Sequence, residues 1–586
     1  MIVAFSRVLF ATFLTLWVIA FANPFVWPDS WTAHPEEATP GGVFYTWDRG
    51  NPRTFNPFVS KEANVVMDLS DNGARLLRKG PNSSRWLPYA AEKYSVSDDG
   101  RTIEMILRRD LRWSDGTPIT SRDYLFRYQA ITDPTVGTDA LESWFVAGEP
   151  IQLEAPDPYT LRFALPMPDR LAFEVIAGLL PAPSHLLEQP YLEGGAEALL
   201  SMWDTSIDPN ATVWSGPFVP VQYLANERIV FARNPWFGVW NVDPRGISLP
   251  YLDSISVALL SSEASALTLF VAGDLDFYVP RDLDEIAFIR AEVDRRPDID
   301  LVENAGLPIG SNQIFFNWNK ASEPFKQALF RSVLFRRAMS HLTDRQAIIE
   351  LVYGGAGVAQ WTSVYPAYEE WLNPGTPRYP YDPEKAAELL EKLGFRQKNA
   401  DGILVDDEGK ALSFFLGTNA ASDKNLQIAQ LFADAAREIG VEVIPQPLEV
   451  NSMISRLLTE GMDRPFDAIL VGTFGAASTW PFDVNATTCN GFLHIYNRSG
   501  DCLDPVEAQI AALQRQGRLT LDDAHAREIA AEIQMHEAEA QLVLYMPTPR
   551  LAFAWNTRIG GYHPNDLMNV ALGPGQIELT FVREKF

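Results

Sequence analysis

The chain has 586 residues, of which 75 are Asp or Glu and 48 are Lys or Arg, and its formal net charge at pH 7 is −27. This excess of negative charge excludes a general affinity for nucleic acid or anionic lipid, because both repel an acidic surface. The length exceeds what one hydrophobic core usually serves, so two or three lobes are expected.

The first residues have the pattern of an export signal. Arg7 supplies a positive charge, residues 8–20 are mostly apolar, and Ala20-Phe21-Ala22 fits the small-x-small pattern of a cleavage site. A retained membrane anchor is the alternative, although the apolar run is shorter than the roughly 20 residues that span a bilayer. The sequence therefore predicts a protein exported to the periplasm or to the outer face of the cytoplasmic membrane.

The chain has two cysteines, Cys489 and Cys502. Their separation is short, and an exported chain meets oxidising conditions. A disulfide between them is therefore predicted, with two independent buried thiols as the alternative.

Residues 87–134 predict two strands and a helix joined by tight turns. Asp99-Gly100 supplies the positive φ that a hairpin turn requires. Ile103, Met105 and Leu107 alternate with polar residues, which indicates a strand with one buried face. Thr120 is then expected to cap a helix, with Asp123 completing a capping box.

The later elements are predicted from similar signals. Residues 42–47 and 313–319 have the composition of strands, and Asp382-Pro383 is expected to start a helix that ends at Gly394. A helix at 422–439 and strands at 441–444 and 467–471 follow.

Several of these segments resemble, in content and in order, segments of the family 5 extracellular solute-binding proteins. That family supplies the ligand-capturing components of peptide, nickel and oligosaccharide ABC importers. The segments that carry the resemblance are residues 51–57, 87–134, 156–163, 214–218, 233–235, 250–253, 273–276, 313–319, 335–349 and 381–390.

The resemblance covers residues 40–586 and implies a periplasmic-binding-protein-like α/β fold with two lobes, a hinge and a smaller extra lobe. After a signal peptide (1–22) and a leader (23–41), the expected first lobe comprises 42–69, 206–300 and 546–586. The small lobe comprises 70–205 and the second lobe 301–545. The chain should cross between the large lobes near 300 and 540.

The function implied by the resemblance is capture of a small solute and its delivery to an ABC permease in the membrane, by a monomer that needs no cofactor. Peptide is the expected ligand class, and oligosaccharide is the alternative within the family. A sensory binding module that has no permease partner is a further alternative.

Sequence patterns of enzymes and metal sites are missing. The chain has no Gly-x-Ser-x-Gly, no Walker-type loop and no His-Glu-x-x-His, and its seven histidines do not pair at metal-ligand spacing. The sequence therefore predicts neither an enzyme nor a metal site. A secreted hydrolase remains an alternative because paired carboxylates could come from many positions.

The candidate ligand contacts lie in segments that relatives place around the cleft. Aromatic side chains there could form apolar walls or stack on sugar rings, although core packing is the alternative for each. The candidates are Trp47, Asn317, Trp318, Trp361, Phe474, Trp480 and Asp483.

The sequence departs from peptide-binding relatives after Gly472. Those relatives commonly have Gly-Trp-x-x-Asp here, and the Asp pairs with the α-amino group of the ligand. In this chain Thr473 follows the glycine, and the acidic position falls on Ala476 or Ala477. Because a buried ammonium without a counter-charge is costly, either Asp483 or another group meets the amine, or the ligand is not a simple free-amine peptide.

Overall fold

The computed structural model describes residues 24–27, 35–58, 65–79, 86–138, 140–308, 310–474, 488–491, 494–561 and 577–583. The helices are α1 (Ser121–Ile131), α2 (Arg170–Ala177), α3 (Ser184–Leu200), α4 (Phe237–Trp240), α5 (Glu263–Ala272), α6 (Leu283–Val293), α7 (Pro324–Arg331), α8 (Val333–Leu342), α9 (Arg345–Val352), α10 (Pro383–Lys392), α11 (Asp423–Ile439), α12 (Val450–Leu458), α13 (Pro505–Leu519) and α14 (Asp523–Ala540).

The strands in the first half of the chain are β1 (Phe25–Val26), β2 (Val43–Arg49), β3 (Leu77–Lys79), β4 (Trp86–Pro88), β5 (Ala91–Val96), β6 (Thr102–Leu107), β7 (Phe145–Val146), β8 (Glu149–Pro150), β9 (Gln152–Asp157), β10 (Thr160–Ala164), β11 (Phe218–Leu224), β12 (Arg228–Arg233), β13 (Asn241–Val242), β14 (Ser254–Leu260), β15 (Phe277–Tyr278) and β16 (Ile299–Val302). Those in the second half are β17 (Gly310–Phe316), β18 (Gly357–Val358), β19 (Gln397–Lys398), β20 (Leu404–Val405), β21 (Ser413–Asn419), β22 (Glu442–Leu448), β23 (Ala468–Phe474), β24 (Leu544–Tyr545), β25 (Thr548–Pro549), β26 (Phe553–Asn556), β27 (Ile559–Gly560) and β28 (Phe581–Val582).

The first lobe contains a four-stranded sheet in the order β11-β12-β14-β2. β14 alternates buried and half-buried residues, because Ile255, Val257 and Leu259 face the core. β14 runs parallel to β2, and the other neighbouring pairs in this sheet are antiparallel. A second sheet, β15-β26-β16, brings the C-terminal part of the chain back to this lobe.

The small lobe contains an antiparallel sheet in the order β5-β6-β10-β9. The predicted hairpin is confirmed, with Gly100 at φ +67° between β5 and β6. The capping box of α1 is confirmed as well, since the side chain of Asp123 accepts a hydrogen bond from the backbone N–H of Thr120 at 2.7 Å.

The hydrophobic core of the small lobe is continuous with that of the first lobe. Leu107 and Trp113 of the small lobe belong to the same buried cluster as Trp214, Phe231 and Phe581. The small lobe and the first lobe are therefore expected to move as one body.

The second lobe contains a five-stranded sheet in the order β22-β21-β23-β17-β24. β21 runs parallel to β22 and β23, whereas β17 is antiparallel to both of its neighbours. Its helices include α10, which starts at the predicted cap Asp382 and is followed by Gly394 at φ +98°. This lobe has a separate hydrophobic core, which includes Phe316, Phe414 and Leu470.

Two chain segments cross between the lobes and pair with each other. The N–H of Ala305 donates to the carbonyl of Leu551 at 2.8 Å, and the N–H of Leu551 donates to the carbonyl of Gly306 at 3.0 Å. Residues 546–549 lie with the second lobe, because Met546 hydrogen-bonds to Asn312 and β25 pairs with β18. Separate cores on either side of two paired crossings are the architecture of a hinge.

Within the described ranges, every helix falls short of the length or the apolar character that crossing a membrane requires.

Candidate ligand-binding cleft

In an open α/β sheet, a ligand binds beyond the carboxyl ends of the parallel strands. In the first lobe these ends are Arg49 of β2 and Leu260 of β14, which lie opposite each other. In the second lobe they are Asn419 of β21, Leu448 of β22 and Phe474 of β23. These two sheet edges define the candidate cleft.

The cleft edges approach each other beside α11. The ammonium group of Lys424, in the first turn of α11, donates to the backbone carbonyl of Arg281 in the first lobe at 2.5 Å. Burial lowers the pKa of Lys424, while the nearby carboxylates of Asp282 and Glu285 oppose that effect. A lysine from one lobe is therefore held against acidic groups of the other.

Charged side chains cluster at the cleft edge of the first lobe. Glu263 pairs with Arg49, and it also pairs with Arg281, whose Nε lies 3.0 Å from a carboxylate oxygen. Arg281 also forms an ion pair with Glu285, and that hydrogen bond raises the pKa of Arg281. These residues keep the edge polar, although the sheet behind it is apolar.

Trp47 lies near this edge, two residues before the end of β2. It pairs with Ala258 of β14 and is half-buried. Its side chain packs against an apolar cluster that includes Phe270 of α5 and Tyr278 of β15. Trp47 therefore contributes to the core with part of its ring and leaves the remainder exposed.

Trp361 follows β18 on the crossing side of the second lobe and is half-buried. The guanidinium carbon of Arg345 lies 4.4 Å from the centre of its ring. Arg345 is itself buried and donates to backbone carbonyls, including that of Tyr545 at 2.9 Å. Burial lowers the pKa of Arg345 to about 9. Its hydrogen bonds to backbone carbonyls hold the guanidinium against the indole.

Phe474 is the last residue of β23 and lies opposite Gly310, where β17 begins after the crossing segment. The structure thus places this position at the cleft edge of the second lobe. Trp480 and Asp483, together with Ala476 and Ala477, lie outside the described residues.

Asn317 and Trp318 lie at the opposite end of the sheet. Because β17 is antiparallel to β23, its carboxyl end meets the start of β23, and the N–H of Asn317 donates to the carbonyl of Asp467 at 2.9 Å. The amide of Asn317 is fully buried and donates to the carbonyls of Arg464 and Phe466.

Trp318 is 1% exposed and packs against the ring of Tyr496, with centroids 4.8 Å apart. Both residues therefore have structural roles, and we do not retain them as ligand contacts.

Sequence reasoning missed a buried carboxyl group in the second lobe. Glu537 of α14 accepts hydrogen bonds from the backbone N–H and the hydroxyl of Ser363, at 3.2 and 2.6 Å. Burial raises its pKa to about 7. The surrounding sequence, His536-Glu537-Ala538-Glu539, has the composition of a solvent-exposed helix, so no local signal could have identified Glu537 as buried.

Within the described residues, no group of three or more His, Cys, Asp and Glu side chains is arranged to hold a metal ion. The two cysteines are joined in a disulfide, with their Cα atoms 5.1 Å apart. This bond ties the segment that follows the cleft strand β23 to the start of α13.

We expect the disulfide to stabilise the second lobe. It closes a short loop of 13 positions, and its reduction should lower the free energy of unfolding by about 3 kcal/mol, the loop-entropy value for that length. Urea unfolding with and without a phosphine reductant measures this. A Cys489→Ser/Cys502→Ser variant is the control and should not respond to reductant; an equal response in both proteins would contradict the prediction.

The sequence of residues 86–491 matches the family described as bacterial extracellular solute-binding proteins, family 5. The chain belongs to this family. Its members are extracellular substrate-binding proteins and not enzymes, so the protein is an exported solute-binding protein.

A relative in Deinococcus radiodurans, a probable ABC transporter-binding protein, is 35% identical over 582 residues, which cover 96% of this chain and 97% of the relative. Two solved structures share the fold. The oligopeptide-binding protein AppA of Bacillus subtilis, in complex with a nonapeptide, has a TM-score of 0.66 at 20% identity and covers 93% of this chain and 100% of its own. MelB of Agrobacterium fabrum, in complex with stachyose, has a TM-score of 0.65 at 21% identity, and the match covers 93% of this chain and 85% of MelB.

Proposed function

We propose that this protein captures a peptide outside the cytoplasmic membrane and delivers it to an ABC permease. The observation that carries the proposal is the pair of lobes with separate cores, joined by two paired crossing segments. We assign the parallel-strand ends of the two lobes as the edges of the cleft between them. Such a hinge allows closure over a solute that is bound by both edges. We divide the chain as the family resemblance implies, except that we place the second crossing near Arg550 instead of near 540 and assign residues 546–549 to the second lobe.

Peptide is the favoured ligand class for two reasons. The oligopeptide-binding protein AppA of Bacillus subtilis is 22% identical to this chain over 541 residues, which cover 90% of this chain and 91% of AppA. The cleft edge of the first lobe also carries paired acidic and basic groups, which suit a zwitterionic chain with repeated amides.

Oligosaccharide is the second candidate, and the segment after Gly472 supports it. Ala476 and Ala477 stand where peptide-binding relatives commonly have the amine-pairing Asp. Structural similarity to the stachyose complex of MelB shows that the same fold holds a sugar elsewhere.

The ligand contacts that we retain are Trp47 in the first lobe and Trp361 and Phe474 in the second. Trp480 and Asp483, in the segment that follows β23, complete the proposal, with Asp483 as the replacement for the missing acidic group. Aromatic faces with a few polar groups are the usual lining of such sites.

Native mass spectrometry of the purified protein, followed by denaturation and identification of the released molecules, tests the ligand class. We expect a set of peptide masses, bound at one per chain and recovered uncleaved after incubation. Masses spaced by hexose units would overturn the peptide assignment in favour of the sugar. Progressive cleavage of the bound molecule would overturn the binding-protein assignment in favour of a hydrolase.

We expect Trp47→Ala to weaken binding of the peptide identified in this way by about 1–3 kcal/mol, the scale of losing an aromatic anchor. Isothermal titration calorimetry measures the change. Trp236→Ala is a matched control, because Trp236 is partly exposed but lies in the loop between β12 and α4. This loop is at the end of the sheet opposite Arg49 and Leu260. Equal affinities for the Trp47 variant and the wild-type protein would remove Trp47 from the site.

A further inference from the structure

The second lobe touches the small lobe at a point away from the crossing segments. This contact is separate from the Lys424–Arg281 contact at the cleft. The small lobe moves with the first lobe, because the two share a hydrophobic core, whereas the second lobe has its own. Helix α2 of the small lobe nevertheless touches the turn between α13 and α14 of the second lobe. Rotation about the crossings that separates the lobes at this point must break the contact.

The contact consists of two ion pairs that run in opposite directions. Arg518 of the second lobe pairs with Asp169 of the small lobe, with its Nε 3.3 Å from the nearer carboxylate oxygen. Arg170 of the small lobe pairs in turn with Asp523 of the second lobe at 2.8 Å. Arg170 also donates to the backbone carbonyl of Thr520 at 3.1 Å.

Asp169 has a second role, which fixes its position. Its carboxylate caps α2 by accepting hydrogen bonds from the N–H groups of Leu171 and Ala172, at 2.8 and 3.1 Å. Asp169 is only 4% exposed, so Arg518 neutralises a carboxylate that is already rigid and largely shielded from water. A charge-assisted pair with a preordered partner loses little conformational freedom when it forms.

The chemistry of this contact favours reversibility. Its main links are ion pairs, and both Arg170 and Asp523 are accessible to water at their outer sides. Contacts between bodies that separate during function are more polar than those within one core, because their groups must be solvated when apart.

We propose that the pairs Asp169–Arg518 and Arg170–Asp523 form a latch that holds the second lobe against the small lobe and opens when salt or mutation weakens it. The importance of the latch for transport depends on the proposed function. Its existence does not, because it acts in the protein without any solute.

The latch is tested in the ligand-free protein by small-angle X-ray scattering and by hydrogen exchange of the peptides that contain 519–523 and 169–177. We expect the radius of gyration of the wild-type protein to rise between 20 mM and 500 mM NaCl, because salt screens the Arg170–Asp523 pair, whose carboxylate is exposed. Arg518→Ala should be expanded at both salt concentrations. Its exchange in the two segments should be at least about tenfold faster, the scale of losing a hydrogen bond to a charged group, because Asp169 is largely shielded from water.

Two further variants keep the test independent of folding defects. Asp523→Ala should act in the same direction as Arg518→Ala, and Arg170→Asp combined with Asp523→Arg should restore the wild-type radius by exchanging the charges. Arg162→Ala is the matched control, because it removes an ion pair with Glu104 at 2.9 Å that lies within the small lobe. Circular dichroism of each variant verifies its fold.

Unchanged radius and unchanged exchange in both Arg518→Ala and Asp523→Ala would overturn the latch, as would an equal effect of Arg162→Ala. Because no solute is added, failure of the importer assignment would leave a positive result intact. A protein that binds peptide but shows no latch would overturn the latch and leave the importer assignment intact.

Discussion

Replacing Trp318 by alanine should lower the free energy of unfolding by about 3–5 kcal/mol, the usual cost of removing a large aromatic side chain from a core. Its indole is fully buried between the ring of Tyr496 and the guanidinium of Arg336, which lies 4.6 Å from the ring centre. Arg336 is itself buried, and its burial lowers its pKa to about 10, so loss of the indole also removes a favourable contact of a desolvated cation.

Urea unfolding followed by circular dichroism measures this change, and Trp47→Ala provides the comparison. Trp47 is only half-buried, so its replacement should cost clearly less stability while it weakens solute binding. If Trp318→Ala instead retained full stability and lost solute binding, Trp318 would be a ligand contact as the family resemblance implied. The core assignment would then fail.

The contrast between these two tryptophans shows where sequence reasoning succeeds. Caps and turns are local, so Thr120, Asp382 and Gly100 could be assigned from their neighbours alone. The register of β17 is not local: pairing with β23 sets it and shifts the strand three residues towards the N-terminus of the predicted 313–319. The shift places Asn317 and Trp318 just beyond the strand, and the antiparallel direction of β17 places them at the end of the sheet opposite the cleft.

The site could be predicted only where it follows from strand ends. Trp47 and Phe474 terminate or nearly terminate parallel strands, and the sheet rule then places them at the cleft. Arg345 and Glu537 could not be predicted, because charged residues are usually solvent-exposed and the neighbouring sequence marks neither of them as buried. Only the packing of α9 and α14 against distant segments buries them.

Glu537 should make the stability of the protein depend on pH. Its ordinary pKa of 4.5 applies to the unfolded chain, whereas burial raises the pKa in the folded protein to about 7. Between these two values the folded state retains a proton that the unfolded state has lost. The stabilisation is therefore complete below about pH 4.5 and is lost as the pH rises through 7.

The difference between the two pKa values corresponds to a loss on the order of 3 kcal/mol above pH 7. Glu537→Gln should abolish this dependence, since its amide remains neutral and its oxygen can still accept hydrogen bonds from Ser363. We therefore expect the variant to match the wild-type protein near pH 4.5 and to exceed its stability at pH 8. Urea unfolding at several pH values between 4.5 and 8 measures the difference in free energy of unfolding between the variant and the wild-type protein. The contributions of the other titrating groups are the same in both proteins and cancel in this difference.

Glu539→Gln is the control, because Glu539 lies on the same helix with its side chain exposed and should leave the pH profile unchanged. Parallel profiles for Glu537→Gln and the wild-type protein would contradict the burial of a protonated carboxyl. A variant that loses stability at every pH would mean that the carboxylate is ionised and held by Ser363 and neighbouring donors. The sign of the difference at pH 8 therefore decides whether α14 packs onto the second lobe with a neutral or a charged group at its centre.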